Sequence, residues 1–213
     1  MLKRHFLYGL FVLGMLCSNA QSINRIWLGA SVKKELIENW LDFELETGAR
    51  SELHNGFYSF LLAPELSCTL SKYLDLNFGY RLSRQVRNYE NRFSVGAAWQ
   101  KKIIKRTYLS LKPRFQLDKA TDSRIWERTA RFKINIKRKI KGKKIYPYLF
   151  NEWFVESIPG YIGLKSTRIG TGISVKSIKR TTLKAGYFRS ISLTGKTATN
   201  KNVIIFCYSY NLK

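Results

Sequence analysis

The arrangement in this sequence most able to support covalent chemistry is the short run Ser51-Glu52-Leu53-His54. A hydroxyl, a carboxylate and an imidazole are the residue types of an acyl-transfer centre, where the ring takes the hydroxyl proton and the acid orients the ring. Adjacency in a loop does not build such a centre, and no nucleophile-elbow motif surrounds Ser51. The sequence has no phosphate loop, no dinucleotide fingerprint and no metal-ligand spacing, so neither a cofactor nor a metal is expected. Of the two histidines, His5 lies at the extreme N-terminus, so any His-dependent mechanism of the mature chain must use His54. Cys68 and Cys207 each fall within an expected strand and are read as unpaired packing residues.

Far more numerous are charged residues spaced by two. Leu74, Leu76, Phe78, Tyr80 and Leu82 alternate with Asp75, Asn77, Gly79, Arg81 and Ser83. Ala130, Phe132, Ile134 and Ile136 alternate in the same way with Thr129, Arg131, Lys133, Asn135 and Lys137. Period two is the signature of strands with one apolar and one wet face. Eleven such segments are read, at about 25–34, 38–48, 57–70, 73–84, 91–102, 106–117, 124–139, 144–155, 163–176, 180–190 and 202–212. Several reach or exceed the roughly 9 to 11 residues that a tilted strand needs to cross a bilayer. The expected fold is therefore all-β, an antiparallel up-and-down transmembrane barrel. A Lys or Arg facing lipid at mid-membrane costs about 2 to 4 kcal/mol, so the strand charges must face the lumen. That places Asp42, Glu44, Glu46, Arg81, Arg114, Arg131, Lys133, Glu152, Arg168 and Lys184 inside, available for ion pairs. Trp40, Tyr80, Trp99, Tyr187, Tyr208 and Tyr210 suit the interfacial girdles.

The N-terminus supplies an address. Lys3 and Arg4 precede an apolar run, Phe6 to Leu16, and the small residues Ser18-Asn19-Ala20 follow. This is the order of a secretory signal peptide, with residues 1–20 removed and 21–213 forming one barrel domain. The formal charge of +24 falls to +22 once Lys3 and Arg4 leave with it. In an exported chain such an excess does not indicate nucleic acid. Its partners are the outer-membrane bilayer and anionic lipid, lipopolysaccharide or cell-wall polymer. The last strand alternates Ile204, Phe206, Tyr208, Tyr210 and Leu212 to its end, resembling the signal read by the barrel-assembly machinery. Together these place the protein in the outer membrane of a Gram-negative bacterium.

Connections are read in two classes. Short basic ones carry Lys33, Lys34, Lys101, Lys102, Lys143, Lys144, Lys179 and Arg180, which would form a positive collar at one rim. Longer, mixed ones are read at 48–56, 85–91, 118–123 and 190–201. Short turns are usually periplasmic and long loops external. Eleven strands conflict with the even numbers usual in single-chain bacterial barrels, so ten to twelve are expected and twelve is preferred.

The run Tyr146-Pro147-Tyr148-Leu149-Phe150-Asn151-Glu152-Trp153-Phe154, then Arg168-Ile169-Gly170-Thr171-Gly172, then Gly186-Tyr187, resembles the uncharacterised family known as domain of unknown function 2490. The resemblance implies an outer-membrane barrel of the kind common in Bacteroidetes-type bacteria, and it brings no activity. Within it, Glu152 and Arg168 are read as a lumenal pair, since a buried carboxylate needs a partner. The expected function is a non-enzymatic envelope component, or a narrow pore or ligand-binding barrel with a charged lumen and basic rim. The alternative is a lipid-modifying hydrolase that uses His54.

Overall fold

The computed structural model describes residues 22–85, 88–123, 125–158, 161–177, 180–193 and 200–212. The expected leader and Lys179 lie outside these residues. Eleven strands follow one another in chain order: β1 (Ser22–Ile37), β2 (Leu41–Glu52), β3 (Gly56–Ser71), β4 (Leu74–Gln85), β5 (Tyr89–Ile104), β6 (Thr107–Ala120), β7 (Glu127–Arg138), β8 (Ile145–Ile158), β9 (Tyr161–Lys176), β10 (Thr181–Ser192) and β11 (Asn200–Asn211). Each pairs antiparallel with its neighbours in sequence, and the sheet closes by β1 pairing with β11 in parallel.

Among the described residues the strands number eleven, which corrects the preference for twelve. An odd strand number closes here for a geometric reason. With an odd number of alternating strands the first and last run in the same direction, so the ring can close only through a parallel ladder. That seam runs from Ser22 opposite Asn200 to Lys33 opposite Asn211. Side chains reinforce it on both faces. Ser31 Oγ donates to Ser209 Oγ at 2.9 Å inside, and Asn202 Nδ2 donates to Asn24 Oδ1 at 3.2 Å outside.

Closure satisfies the backbone of every strand, leaves no edge, and sorts the side chains inside out. Outward positions are large and apolar, among them Leu28, Phe78, Phe93, Phe132, Ile134, Ile173 and Phe206, all exposed. Among the buried side chains are Ser31, Ser59, Ser83, Ser110, Gln116, Asp118, Thr129 and Glu152. A water-soluble protein does not expose apolar surface continuously around its girth. At 12 to 16 residues the strands are long enough to span a bilayer. Trp40, Trp99, Tyr208 and Tyr210 fall toward one end of the wall, whereas Tyr80 and Tyr187 lie toward the other, donating to Asn91 Oδ1 at 2.6 Å and Asn202 Oδ1 at 2.8 Å. Cys68 and Cys207 are free, the first facing outward and the second into the lumen, so the wall separates the two thiols.

Two rims result. At the C-terminal rim β1, β3, β5, β7, β9 and β11 end, and at the N-terminal rim β2, β4, β6, β8 and β10 end. The connections expected at 48–56, 85–91, 118–123 and 190–201 are each cut into by strand residues, because the strands at the N-terminal rim run further than the alternation of apolar residues suggests. Glu52, Glu90 and Asp118 are strand residues there, not loop residues. Loop length therefore does not orient the barrel.

On the C-terminal rim Arg106 and Arg180 sit at positive φ, 65° and 60°. Glycine or asparagine is the ordinary occupant of such a position. Arg106→Gly is expected to stabilise the barrel by roughly 0.5 to 1 kcal/mol in a urea unfolding titration, the left-handed penalty less glycine's entropy. No change, or a loss, would show that the guanidinium makes up the strain.

Candidate functional site in the barrel lumen

One wall of the lumen is built from glycine and aromatic residues. Gly170 and Gly172 on β9 and Gly186 on β10 present bare backbone, and the inward rings of β8 lie on it. A Cβ at Gly172 would stand 2.5 Å from the Tyr148 hydroxyl, and one at Gly170 would stand 2.7 Å from Phe150 Cε1. Phe150, Phe188 and Val203 form a buried cluster against which Trp27, Tyr148 and Ile205 pack. Trp27 meets Phe188 edge-on at 5.1 Å between centroids. The three sequence fragments that carried the family resemblance are thus one packed surface: aromatic residues from the first, glycines from the other two.

Above this surface Glu152 is 1% exposed. Its Oε1 accepts from Arg131 Nε, and its Oε2 lies 3.5 Å from Arg168 Nη1. The pair read from sequence is a triad, because Arg131 on the neighbouring strand β7 joins it. The Arg168 guanidinium also lies over the Phe154 ring at 4.4 Å and the Trp27 ring at 5.6 Å, while Arg50 covers Trp27 at 4.3 Å. Arg114 reaches Glu65 at 2.8 Å. Together these contacts make a layer of side chains contributed by β1, β2, β3, β6, β7, β8 and β9.

The N-terminal half of the lumen carries most of its charges as ion pairs. Arg25 donates to Glu52 through Nε at 2.8 Å, Arg81 holds Glu90 at 2.8 Å, and Arg92 binds Glu90 and Asp118. Lys165 pairs with Glu156 and lies 3.4 Å from Glu127. A β-bulge between Phe154 and Val155 shifts the β8–β9 register and turns Lys165 inward. A cavity of about 590 Å³ runs among these groups and alongside the layer, lined by Glu90 and Asp118, by Arg50 and Arg168, and on the C-terminal side by Glu44 and Cys207.

The C-terminal half differs. Lys112, Lys133, Lys137, Lys176 and Lys184 occupy inward positions there, and among the described residues none forms an ion pair. Lys137 Nζ donates to Gln100 Oε1 at 3.0 Å, and Lys133 Nζ sits 4.2 Å from the Phe150 ring centroid. Lys112, Lys176 and Lys184 are exposed although they face the barrel axis, so water reaches this half. Asp42 pairs with Lys33 at 2.6 Å, whereas Glu44 and Glu46 line the β2 wall. At the rim itself Lys34, Lys101, Lys102, Lys143, Lys144 and Arg180 are all exposed.

His54 does not meet the residues that could make it catalytic. It is exposed at the tip of the β2–β3 turn; Ser51 lies on the outward face of β2, and Glu52 is occupied by Arg25 and by Asn55 Nδ2 at 2.8 Å. Among the described residues no group of three potential metal ligands occurs.

Sequence reading misses Glu65, Glu90, Asp118, Glu156, Arg25, Arg92 and Lys165 as members of the lumenal network. For Glu90 and Asp118 the signal was available: each continues the in-facing parity of its strand, with Tyr89 and Leu117 on the outward parity beside them.

A closed wall, apolar outside and charged within, has the construction of outer-membrane β-barrel domains. The chain belongs to the family described as protein of unknown function DUF2490, whose model matches residues 24–200. Its fold is similar to the crystal structure of the β-domain of the Bordetella autotransporter BrkA. The TM-score is 0.50 at 12% identity, over 76% of this chain and 78% of that one. A second solved chain, reported in work on in-meso crystallization of membrane proteins, aligns with 80% of this chain and 77% of its own length at 11% identity and a TM-score of 0.40. Comparison with curated proteins finds no match.

Proposed function

We propose that this protein is a non-enzymatic barrel of the Gram-negative outer membrane that holds a ligand in a dead-end lumen and does not pass solutes through it. The observation that carries this reading is the layer formed by Glu65 with Arg114, by Arg131, Glu152 and Arg168, and by Trp27 with Arg50. It narrows the lumen between an exposed, lysine-rich C-terminal half and an ion-paired N-terminal half. Barrels of about 16 to 18 strands leave an aqueous channel, and eight strands leave room only for side chains or one small ligand. Eleven strands with such a layer belong nearer the second case. Export by a leader peptide and assembly through the terminal strand are part of the proposal. With the C-terminus periplasmic, the collar of Lys34, Lys101, Lys143, Lys144 and Arg180 faces anionic headgroups of the inner leaflet or the cell wall.

Planar-bilayer recording on the purified full chain tests the reading. The wild type is expected to show no resolved openings. A variant carrying Arg131→Ser, Glu152→Ser and Arg168→Ser is expected to show discrete steps, because it removes the centre of the layer without leaving an unpaired carboxylate. Regular ohmic openings of the wild type would refute the dead end.

A further inference from the structure

The lysines of the C-terminal half are arranged against their own stability. Lys112 on β6 lies directly opposite Lys133 on β7, and the next inward pair along the same ladder is Arg114 opposite Arg131. Like charges directly opposite each other across strands are destabilising. Arg114 is offset by Glu65 and Arg131 by Glu152. Among the described residues neither Lys112 nor Lys133 has a carboxylate within ion-pair distance: Glu152 lies across the ladder from Lys133, but Arg131 and Arg168 already hold it. Lys137 and Lys176 extend the wall toward the rim, and Lys184 faces the same water-filled space.

Other donors stand nearby. Ser110 is buried between these strands, and its Oγ has no hydrogen-bond partner. The Tyr108 and Tyr146 rings lie within 5.7 Å of Lys137 and Lys176 ammonium groups respectively. The entrance adds charge where the backbone would prefer glycine, at Arg106 and Arg180. Among the described residues Glu44, Glu46 and Asp75 face the lumen from β2 and β4 without an ion pair, but the five lysines of β6, β7, β9 and β10 outnumber them, and the excess of positive charge on that wall is left for something that binds.

We infer that the C-terminal half of the lumen is a binding site for a soluble anion carrying clustered phosphate groups, held by Lys112, Lys133 and Lys184 and admitted through the basic rim. The inference deepens the dead-end reading and rests on it for the ligand's access from one side only. Its test does not depend on conductance, so the two can fail separately. Phosphate could come from a free solute or from a lipid headgroup, and the lumen's isolation from lipid separates these sources.

The test is calorimetric titration of inorganic tripolyphosphate into the full-length barrel, folded in nanodiscs of zwitterionic phospholipid. Binding is expected to weaken as salt is raised, since exposed charges are screened beyond about 8 Å at physiological ionic strength. The variant Lys112→Gln/Lys133→Gln/Lys184→Gln is expected to lose at least roughly tenfold in affinity, equivalent to about 1.4 kcal/mol. Removing the like-charge pair favours folding of that variant, and Lys184→Gln alone gives a smaller loss in the same direction should the triple variant fold poorly. Lys143→Gln/Lys144→Gln, which alters only the rim, is expected to keep most of the affinity. Replacing part of the disc lipid with phosphatidylglycerol is expected to leave binding unchanged. Three results would overturn the inference: no binding by the wild type, an equal or larger loss in the rim variant, or displacement of tripolyphosphate by the anionic lipid.

Discussion

Glu152→Gln is expected to destabilise the barrel by about 3 to 5 kcal/mol, the cost of removing the one counter-ion that buried basic groups share. Glu152 is the most enclosed charged side chain among the described residues and holds Arg131 and Arg168 at once. Gln can accept a hydrogen bond from one guanidinium but carries no charge for either. The two arginines are not equivalent to Glu152 in this respect. Arg168→Leu leaves Glu152 with Arg131, and Arg131→Leu leaves it with Arg168, so each is expected to cost less than half as much as Glu152→Gln. The double variant Glu152→Gln/Arg168→Leu is expected to regain part of the loss, because a single partly exposed arginine remains. An isolated Glu152–Arg168 pair would behave differently, since exchanging the two charges would restore it. In the triad the exchange sets an arginine at 152 beside Arg131, and rescue is not expected. Urea unfolding of the vesicle-inserted barrel, followed by tryptophan fluorescence, measures all of these. Equal costs for the three single variants would contradict the shared-carboxylate account.

The second large effect is expected at the glycine wall. Adding a Cβ at Gly172 brings it 2.5 Å from the Ala185 carbonyl oxygen as well as 2.5 Å from the Tyr148 hydroxyl, and at Gly170 it meets Phe188 Cβ and the Tyr187 carbonyl oxygen at 2.5 and 2.6 Å. Backbone atoms in a closed ladder have little room to move. Gly170→Ala and Gly172→Ala are therefore expected to cost about 3 kcal/mol or more, the upper end for overpacking. Gly186 is the informative contrast. Its added Cβ meets the Tyr148 hydroxyl at 2.7 Å, with the nearest backbone atom, Thr171 O, at 3.0 Å. Gly186→Ala should thus be relieved substantially by Tyr148→Phe, whereas Gly172→Ala should not be. A double-mutant cycle reads the difference as a coupling energy. Coupling of the same size at both glycines would show that the ring's hydroxyl is not what limits the space at Gly186.

The facing of the strands was legible from the sequence because side chains alternate with a period of two, and a wrong register would place lysines in lipid. Lys133 between Phe132 and Ile134 admits only one arrangement in a membrane barrel. Position along the barrel was less legible. Asp118 lies past the last large apolar residue of its segment, and Glu90 lies where polar Asn91 interrupts the apolar run between Tyr89 and Phe93, so alternation alone does not distinguish strand from loop at either. Which charges meet was least legible, since Arg131 reaches Glu152 only through the β7–β8 register and Lys165 turns inward only through a bulge. The strand count itself was read correctly as eleven segments and then set aside for parity, because the parallel ladder of β1 with β11 leaves no mark on local sequence pattern.

What the fold most directly implies is a wall that faces lipid outward and encloses a charged, wet lumen. Single cysteines along β7, at 131, 132, 133, 134, 135 and 136 in a Cys68→Ala/Cys207→Ala background, test it directly in proteoliposomes. Fluorophores on 132, 134 and 136 are expected to be quenched by brominated acyl chains, while 133 and 135 react with a charged thiol reagent and escape that quenching. The claim would be contradicted by inverted parity, or by equal lipid quenching at all six positions.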